Sequence, residues 1–213
     1  MIHTGYPVVF TTAEEPGPTV AVDNAGGIQQ AFDHLVQHGH RRIAFIAGKS
    51  GRGGDSAERL VAYRAAVRAA SLEEDERLIA YGEHRREDGR TAMQQILATG
   101  APFTAMLASN DLSCLGALEV LRAVGRHIPD DVAVIGFDDI LDTRSHLPPL
   151  TTMRYPTFAL GYEAVLSLLA TVNGKRTEEG HTRVPTRLIT GAAVDKSIVL
   201  GPTGVAIIQS ALA

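Results

Sequence analysis

The chain has 213 residues, of which 45% are hydrophobic and 21% charged, and its net charge is -4. That length allows one large or two small domains with a real core, and the composition is globular, not disordered. The acidic balance, with no Lys/Arg run longer than a pair, lacks the electrostatic footprint of a nucleic-acid binder in this chain alone. The single cysteine, Cys114, excludes an internal disulfide framework and a Cys-rich metal site. There is no Trp, and aromatics make up 5%, so any grip by stacking falls to a few residues. The N-terminus has no basic segment and too short an apolar run for a signal peptide. The longest apolar stretch, residues 164–172 interrupted by Ser167, is far short of a membrane span. The expected location is cytoplasmic, with no membrane partner.

Residues 6–11 (YPVVFT) read as a short buried strand, 14–19 as a turn and 20–22 as a second extended piece. Asp23 and Asn24 are helix caps. Ile28, Ala31, Phe32, Leu35 and Val36 follow at i, i+3, i+4, i+7 and i+8, which buries one helix face until Gly39 ends it. Residues 43–47 (IAFIA) are the next strand, followed by a glycine-rich loop, 48–54. Asp55 and Glu58 form a capping-box-like start to a helix over 56–70. A strand at 78–81 and a helix at 87–99 follow, the latter with Ala92, Met93, Ile96 and Leu97 inward. A strand at 105–109 leads to a helix at 111–124 with Leu112, Leu115, Leu118 and Leu121 on or near one face.

Residues 132–139 (VAVIGFDD) organise the rest. Five apolar, mostly β-branched residues suit a strand buried on both faces of a parallel sheet, and two carboxylates sit at its C-terminal end. A polar loop, Pro148-Pro149 and a new extended run at 150–154 suggest that the chain leaves one sheet here for another. A helix over 158–172 has Leu160, Ala164, Leu168 and Leu169 inward. Residues 173–181 read as an exposed loop and 183–190 as a strand; 191–213 carry no assignable pattern. Alternating helices and apolar strands from 23 to 139 imply right-handed βαβ units and a parallel sheet covered on both faces.

Ligands of open α/β sheets bind outside the carboxyl ends of the strands. Arg59, His84, Asn110 and Asp138 each follow a different strand of this sheet, so all four open on one crevice. Singly, each has a structural explanation: a solvated arginine, an exposed loop histidine, a helix cap, a fold-supporting carboxylate. Together, guanidinium, amide and carboxylate present planar forks that match vicinal hydroxyls. Asp138 and Asp139 make a weak glycosidase pair, because neighbouring residues of extended chain point apart. Gly48-Lys49-Ser50 resembles the end of a phosphate-binding loop, but Ile43 stands where its first glycine belongs. No nucleophile is visibly activated by a base and no spacing suggests a metal, so neither catalysis nor a cofactor is expected.

The chain resembles the effector-binding domain of the lactose/galactose repressor (LacI/GalR) family. The resemblance rests on Val22-Asp23-Asn24; on His34-Leu35-Val36 with 39–48 (GHRRIAFIAG); on Arg59-Leu60 with Tyr63; on Asn110-Asp111 with 115–118 (LGAL); on 128–132 (IPDDV); on Gly136-Phe137-Asp138-Asp139; and on 148–152 (PPLTT). These occur in the family's order over residues 6–189. The resemblance implies a periplasmic-binding-protein-like α/β fold of two Rossmann-like lobes closing on a small effector, a sugar or nucleobase-like molecule. It carries the effector contacts to Arg59, Asn110 and Asp138. His84 falls where the family often has a stacking aromatic, and Asp55 where a small hydroxyl residue often contacts ligand.

Three departures stand out: the helix-turn-helix headpiece and the first part of the N-terminal lobe are missing, and Gly191 with an unmatched tail replaces the family's closing arginine. The expected organisation is a partial N-terminal lobe (residues 1–22 and 154–183), a C-terminal lobe (23–153), a final strand (184–190) and an unassigned tail (191–213). The implied function is the sensing part of a LacI-type transcription regulator. It would act as a homodimer and reach operator DNA only through a headpiece absent from this chain. The alternative is a sugar-sensing module on another signalling output, or a stand-alone sugar-binding protein.

Overall fold

The computed structural model describes residues 6–11, 17–49, 53–146, 148–174 and 180–194, with the backbone of two further strands, Ile198–Leu200 and Ala206–Ile208. Leu147, the middle of the glycine-rich loop (50–52), the first half of the turn at 14–19 (14–16), most of the expected loop at 173–181 (175–179) and most of the tail lie outside the described residues.

Among the described residues ten strands and six α-helices follow in the order β1 (Thr19–Val22), α1 (Asn24–Gln37), β2 (Ile43–Ala47), α2 (Asp55–Ala69), β3 (Ile79–Tyr81), α3 (Arg86–Ala98), β4 (Ala105–Ala108), α4 (Asp111–Ala123), β5 (Ala133–Asp138), α5 (Leu141–Ser145), β6 (Thr151–Arg154), α6 (Thr157–Val172), β7 (His181–Val184), β8 (Arg187–Ile189), β9 (Ile198–Leu200) and β10 (Ala206–Ile208). The main sheet has the order β3-β2-β4-β5-β6-β8, all parallel except β8, which runs antiparallel to β6. Its strands alternate strictly. Ala44, Ile46, Met106, Ala108 and Val134 face α3 and α4, whereas Ile43, Phe45, Leu107, Ile135 and Phe137 face α1 and α2. The central strands β2, β4 and β5 are therefore apolar on both faces, as a sheet with helices on both sides requires. The direction of winding reverses between β2 and β4, which places a switch-point crevice at their C-terminal ends.

A second, two-stranded parallel sheet pairs β1 with β7, and Val20, Val22 and Val184 pack with Leu160 of α6 in a separate small core.

The structure changes several expectations. The chain does not leave the main sheet at 150–154: β6 pairs with β5, Ile135 opposite Thr151, and the crossing comes after Arg154 through α6. The expected strand at 183–190 is split at Pro185-Thr186, one half in each sheet. Residues 6–11 form no regular strand; Phe10 makes one bridge to Thr19. The polar loop after Asp139 contains the short helix α5. No capping box opens α2: Gly54 is its N-cap, and Asp55 and Glu58 turn to Asn24 instead. Leu169 of α6 is exposed, because the small sheet covers only the Leu160 side of the helix.

Candidate functional site

The five residues singled out from sequence lie together at the carboxyl ends of β2, β3, β4 and β5. Arg59 is at their centre. It sits within the second turn of α2, only 4% exposed, with its guanidinium 3.8 Å over the ring of Phe137. Its Nε donates to Asn24 Oδ1 at 2.8 Å and its Nη1 to the Ser109 carbonyl at 2.6 Å. The same guanidinium lies 3.8 Å from Asp55 and 3.9 Å from Asp138. Arg59 is thus no solvated surface arginine: it ties α1, β4 and β5 together, and burial lowers its pKa against the pull of Asp138 and Asp55.

Asp138 closes β5 with φ +126° and its carboxylate is partly exposed beside Arg59. Burial raises its pKa to about 6, although Arg59 and the backbone N–H of Asp111 both favour the anion. Asp139, at φ +61°, points the other way: its buried carboxylate accepts from Arg144 at 3.1 and 2.9 Å and from Arg154 at 2.5 Å. The divergence of the two aspartates expected from extended alternation is present, but its cause is different. A turn with two consecutive positive φ values swings them apart.

Asn110 caps α4 through Oδ1, which accepts from the Ser113 N–H at 3.2 Å, and its Nδ2 donates to the His84 carbonyl at 3.0 Å. An amide has two donor hydrogens and two lone pairs, so each end of Asn110 keeps capacity for a ligand hydroxyl. His84 is half-buried at φ +65° and its Nε2 is 2.6 Å from Ser56 Oγ. Burial, then the charge of Arg59, lowers its pKa, which keeps the ring neutral at pH 7. Gly48 makes this contact possible, since a Cβ there would stand 2.4 Å from Ser56 Oγ and 2.5 Å from His84 Nε2. A cavity of about 290 Å³ lined by Lys49, Gly53, Ser56, Glu83 and His84 opens beside the ring.

Sequence reasoning missed four members. Asn24 is fully buried and bridges Asp55, Glu58 and Arg59. Ser56 orients His84. Tyr155 packs between the two cores, close enough to Arg59, Asp55 and Asp138 to feel their charges. Asp111 is buried beside Asp138, to whose carboxylate its backbone N–H donates. Only Asn24 and Asp111 left a trace, as polar residues next to apolar strands. Among the described residues no cluster of His, Cys, Asp and Glu could hold a metal ion. The site offers donors, acceptors and an imidazole face, with the His84 ring already engaged by the Ser56 hydroxyl.

Residues 32–194 match the periplasmic binding protein-like domain family. Over 176 residues the chain is 41% identical to the HTH-type transcriptional regulator CelR of Thermobifida fusca, covering 83% of this chain and 50% of that protein. The structure of a transcriptional regulator CelR–cellobiose complex superposes with a TM-score of 0.82 at 38% identity, covering 89% of this chain and 59% of that one. A regulatory protein of the LacI family from Chloroflexus aggregans superposes equally well, TM-score 0.82 at 31% identity, over 89% of this chain and 69% of that one. The chain spans about half the length of the curated relatives it matches.

Proposed function

The chain belongs to the LacI family of regulators by its periplasmic-binding-protein-like domain, and on that premise we propose that it is the sugar-sensing part of a transcription regulator. The observation that carries the reading is the convergence of Asp138, Asn110, Arg59, His84 and Asp55 at one switch-point crevice. A carboxylate, an amide and a neutral imidazole are the groups that hold and stack a polyhydroxylated ring. Asp138 accepts from two vicinal hydroxyls, Asn110 donates and accepts beside it, and His84 packs against the ring. Arg59 holds the set in register from below, and Asp55 lies at the rim.

The two lobes of this reading are residues 23–153, and 1–22 with 154–183, joined at three crossings, where β1 leads into α1, β6 into α6 and β7 into β8. An effector gripped by both lobes favours the closed arrangement by the difference in its affinity for the two states. The regulator works in the cytoplasm as a homodimer, performs no chemistry on its effector and reaches operator DNA through a helix-turn-helix segment outside these residues.

Thermal shift against a panel of sugars and nucleosides, beginning with cellobiose, identifies the effector, because a ligand of the folded state raises its stability. Asp138→Ala then weakens binding by about 3 kcal/mol, on the order of a hundredfold, through the loss of two charge-assisted hydrogen bonds. Normal affinity in that variant by calorimetry would place the effector elsewhere.

A further inference from the structure

Asp111 is fully buried at the first turn of α4, and no lysine, arginine or histidine among the described residues bonds it. Its two oxygens serve different sides. Oδ2 accepts the Ile140 N–H at 3.0 Å, and the Asp139 N–H also reaches the carboxyl group. Oδ1 lies 2.6 Å from the Thr152 hydroxyl of β6. In return, the backbone N–H of Asp111 donates to the Asp138 carboxylate. The end of β5 and the start of α4 therefore clasp each other around the turn that aims Asp138. Gly136 leaves the room, since a Cβ there would stand 2.1 Å from Asp111 Oδ1.

We propose that Asp111 is a positioning residue that acts as a neutral acid, its proton on Oδ1 toward Thr152, and thereby fixes Asp138 as the ionised acceptor of the site. The inference rests on the reading of Asp138 as the effector's acceptor. A buried carboxylate without a cation is costly, and neutralisation is the usual escape. The geometry accommodates the acid form. A hydroxyl oxygen such as that of Thr152 can accept, and 2.6 Å is within the range of an O–H···O bond. Oδ2 stays an acceptor for the two backbone N–H groups.

Two interacting carboxyl groups give up their protons in two steps. Burial, with the charge of Asp138 adding to it, raises Asp111 to about 7, whereas Asp138 stands at about 6. The order follows from position: Asp138 is partly exposed beside the Arg59 guanidinium, whereas Asp111 is fully buried with no cation among the described residues bonded to it, so Asp138 ionises first and the remaining proton stays on Asp111. The titratable groups that face Asp111 are Asp138 from β5 and the buried Cys114 thiol from its own helix; Arg59 and Asp55 act on Asp138.

The test needs no effector. Aspartate carboxyl carbons are followed by NMR against pH in the wild type and in Asp111→Asn, whose amide can accept from the backbone and donate to Thr152 as the acid does. The expected result is a carbon titrating near 7 that vanishes in D111N, while the Asp138 carbon keeps its titration near 6. In Asp111→Ala the Ile140 amide exchanges at least tenfold faster, and in D111N it stays protected. Should D111A fail to fold, D111S, whose hydroxyl is too short to reach Ile140, replaces it. An Asp111 carbon titrating below pH 5, an Asp138 titration lowered by a full pH unit or more in D111N, or unchanged Ile140 exchange in the truncated variant would each overturn the proposal. These readouts are independent of the Asp138→Ala binding assay, so either reading can fail alone.

Discussion

Asp139 shows how far a single position is determined by its surroundings. Its carboxylate is buried, yet its partners Arg144 and Arg154 are about half-exposed and can return to water if it is removed. The loss therefore falls below that of breaking a fully buried pair, where a stranded charge stays inside. Asp139→Asn isolates the charge, because asparagine tolerates the left-handed φ of this residue. The expected result is a loss of about 1–3 kcal/mol in chemical denaturation of the empty protein, from weakened charge-assisted hydrogen bonds. Effector affinity should stay within a few-fold. A variant as stable as the wild type would mean that the turn holds Asp138 without its arginines.

The element that matters most beyond the site is α6. Its mean hydropathy is the highest of the helices, and Phe158, Tyr162, Val165, Leu166, Leu169 and Val172 are all exposed, Phe158 to 86%. The small sheet of β1 and β7 covers only the Leu160 side. An apolar surface of that extent invites association. Val8, Val9 and Phe10, the apolar residues near the start of the chain, are partly buried by contrast. Sedimentation at tens of micromolar, about where weak dimers appear, should show self-association. Leu166→Lys with Leu169→Lys should reduce it. A monomeric wild type at that concentration would refute the expectation.

At the scale of the molecule, the buried carboxyl groups link stability to pH. Asp111 and Asp138 hold their protons longer in the folded chain than the ordinary aspartate value of about 3.9 allows. A raised folded pKa contributes stability that is present below the unfolded pKa and is lost as pH rises through the folded one. The window here runs from about pH 4 to just above 7. Histidines 40, 84 and 146, lowered chiefly by burial, work in the opposite sense over part of that range. The informative quantity is therefore the difference between wild type and the double variant D111N/D138N. Relative to that variant, the wild type should lose on the order of 3–5 kcal/mol between pH 5 and 8, because each tenfold change in proton affinity on folding is worth about 1.4 kcal/mol. A flat difference in denaturation midpoints across that range would contradict the raised values.

The sequence by itself determined the α/β class, the doubly wound core and the strand ends on which Arg59, Asn110 and Asp138 sit. Both signals are local. Apolar runs such as IAFIA at 43–47 must be buried on two faces, and helices with a 3.6-residue apolar period must cover them. The tertiary structure alone decided what those residues do with one another. Nothing in the order of the chain says that Asn24, Arg59 and Ser109 meet, because their contacts span 35 and 50 positions. The crossing between sheets was misplaced by a few residues because a polar loop and two prolines look the same whether the next strand joins the old sheet or a new one. Hydrogen-bond register, Ile135 opposite Thr151, settles that, and register is a property of two segments, not of one. For the same reason Asp111 stood out in the sequence only as the neighbour of Asn110: its burial, its missing cation and its hold on Asp138 exist only once α4, β5 and β6 are packed side by side.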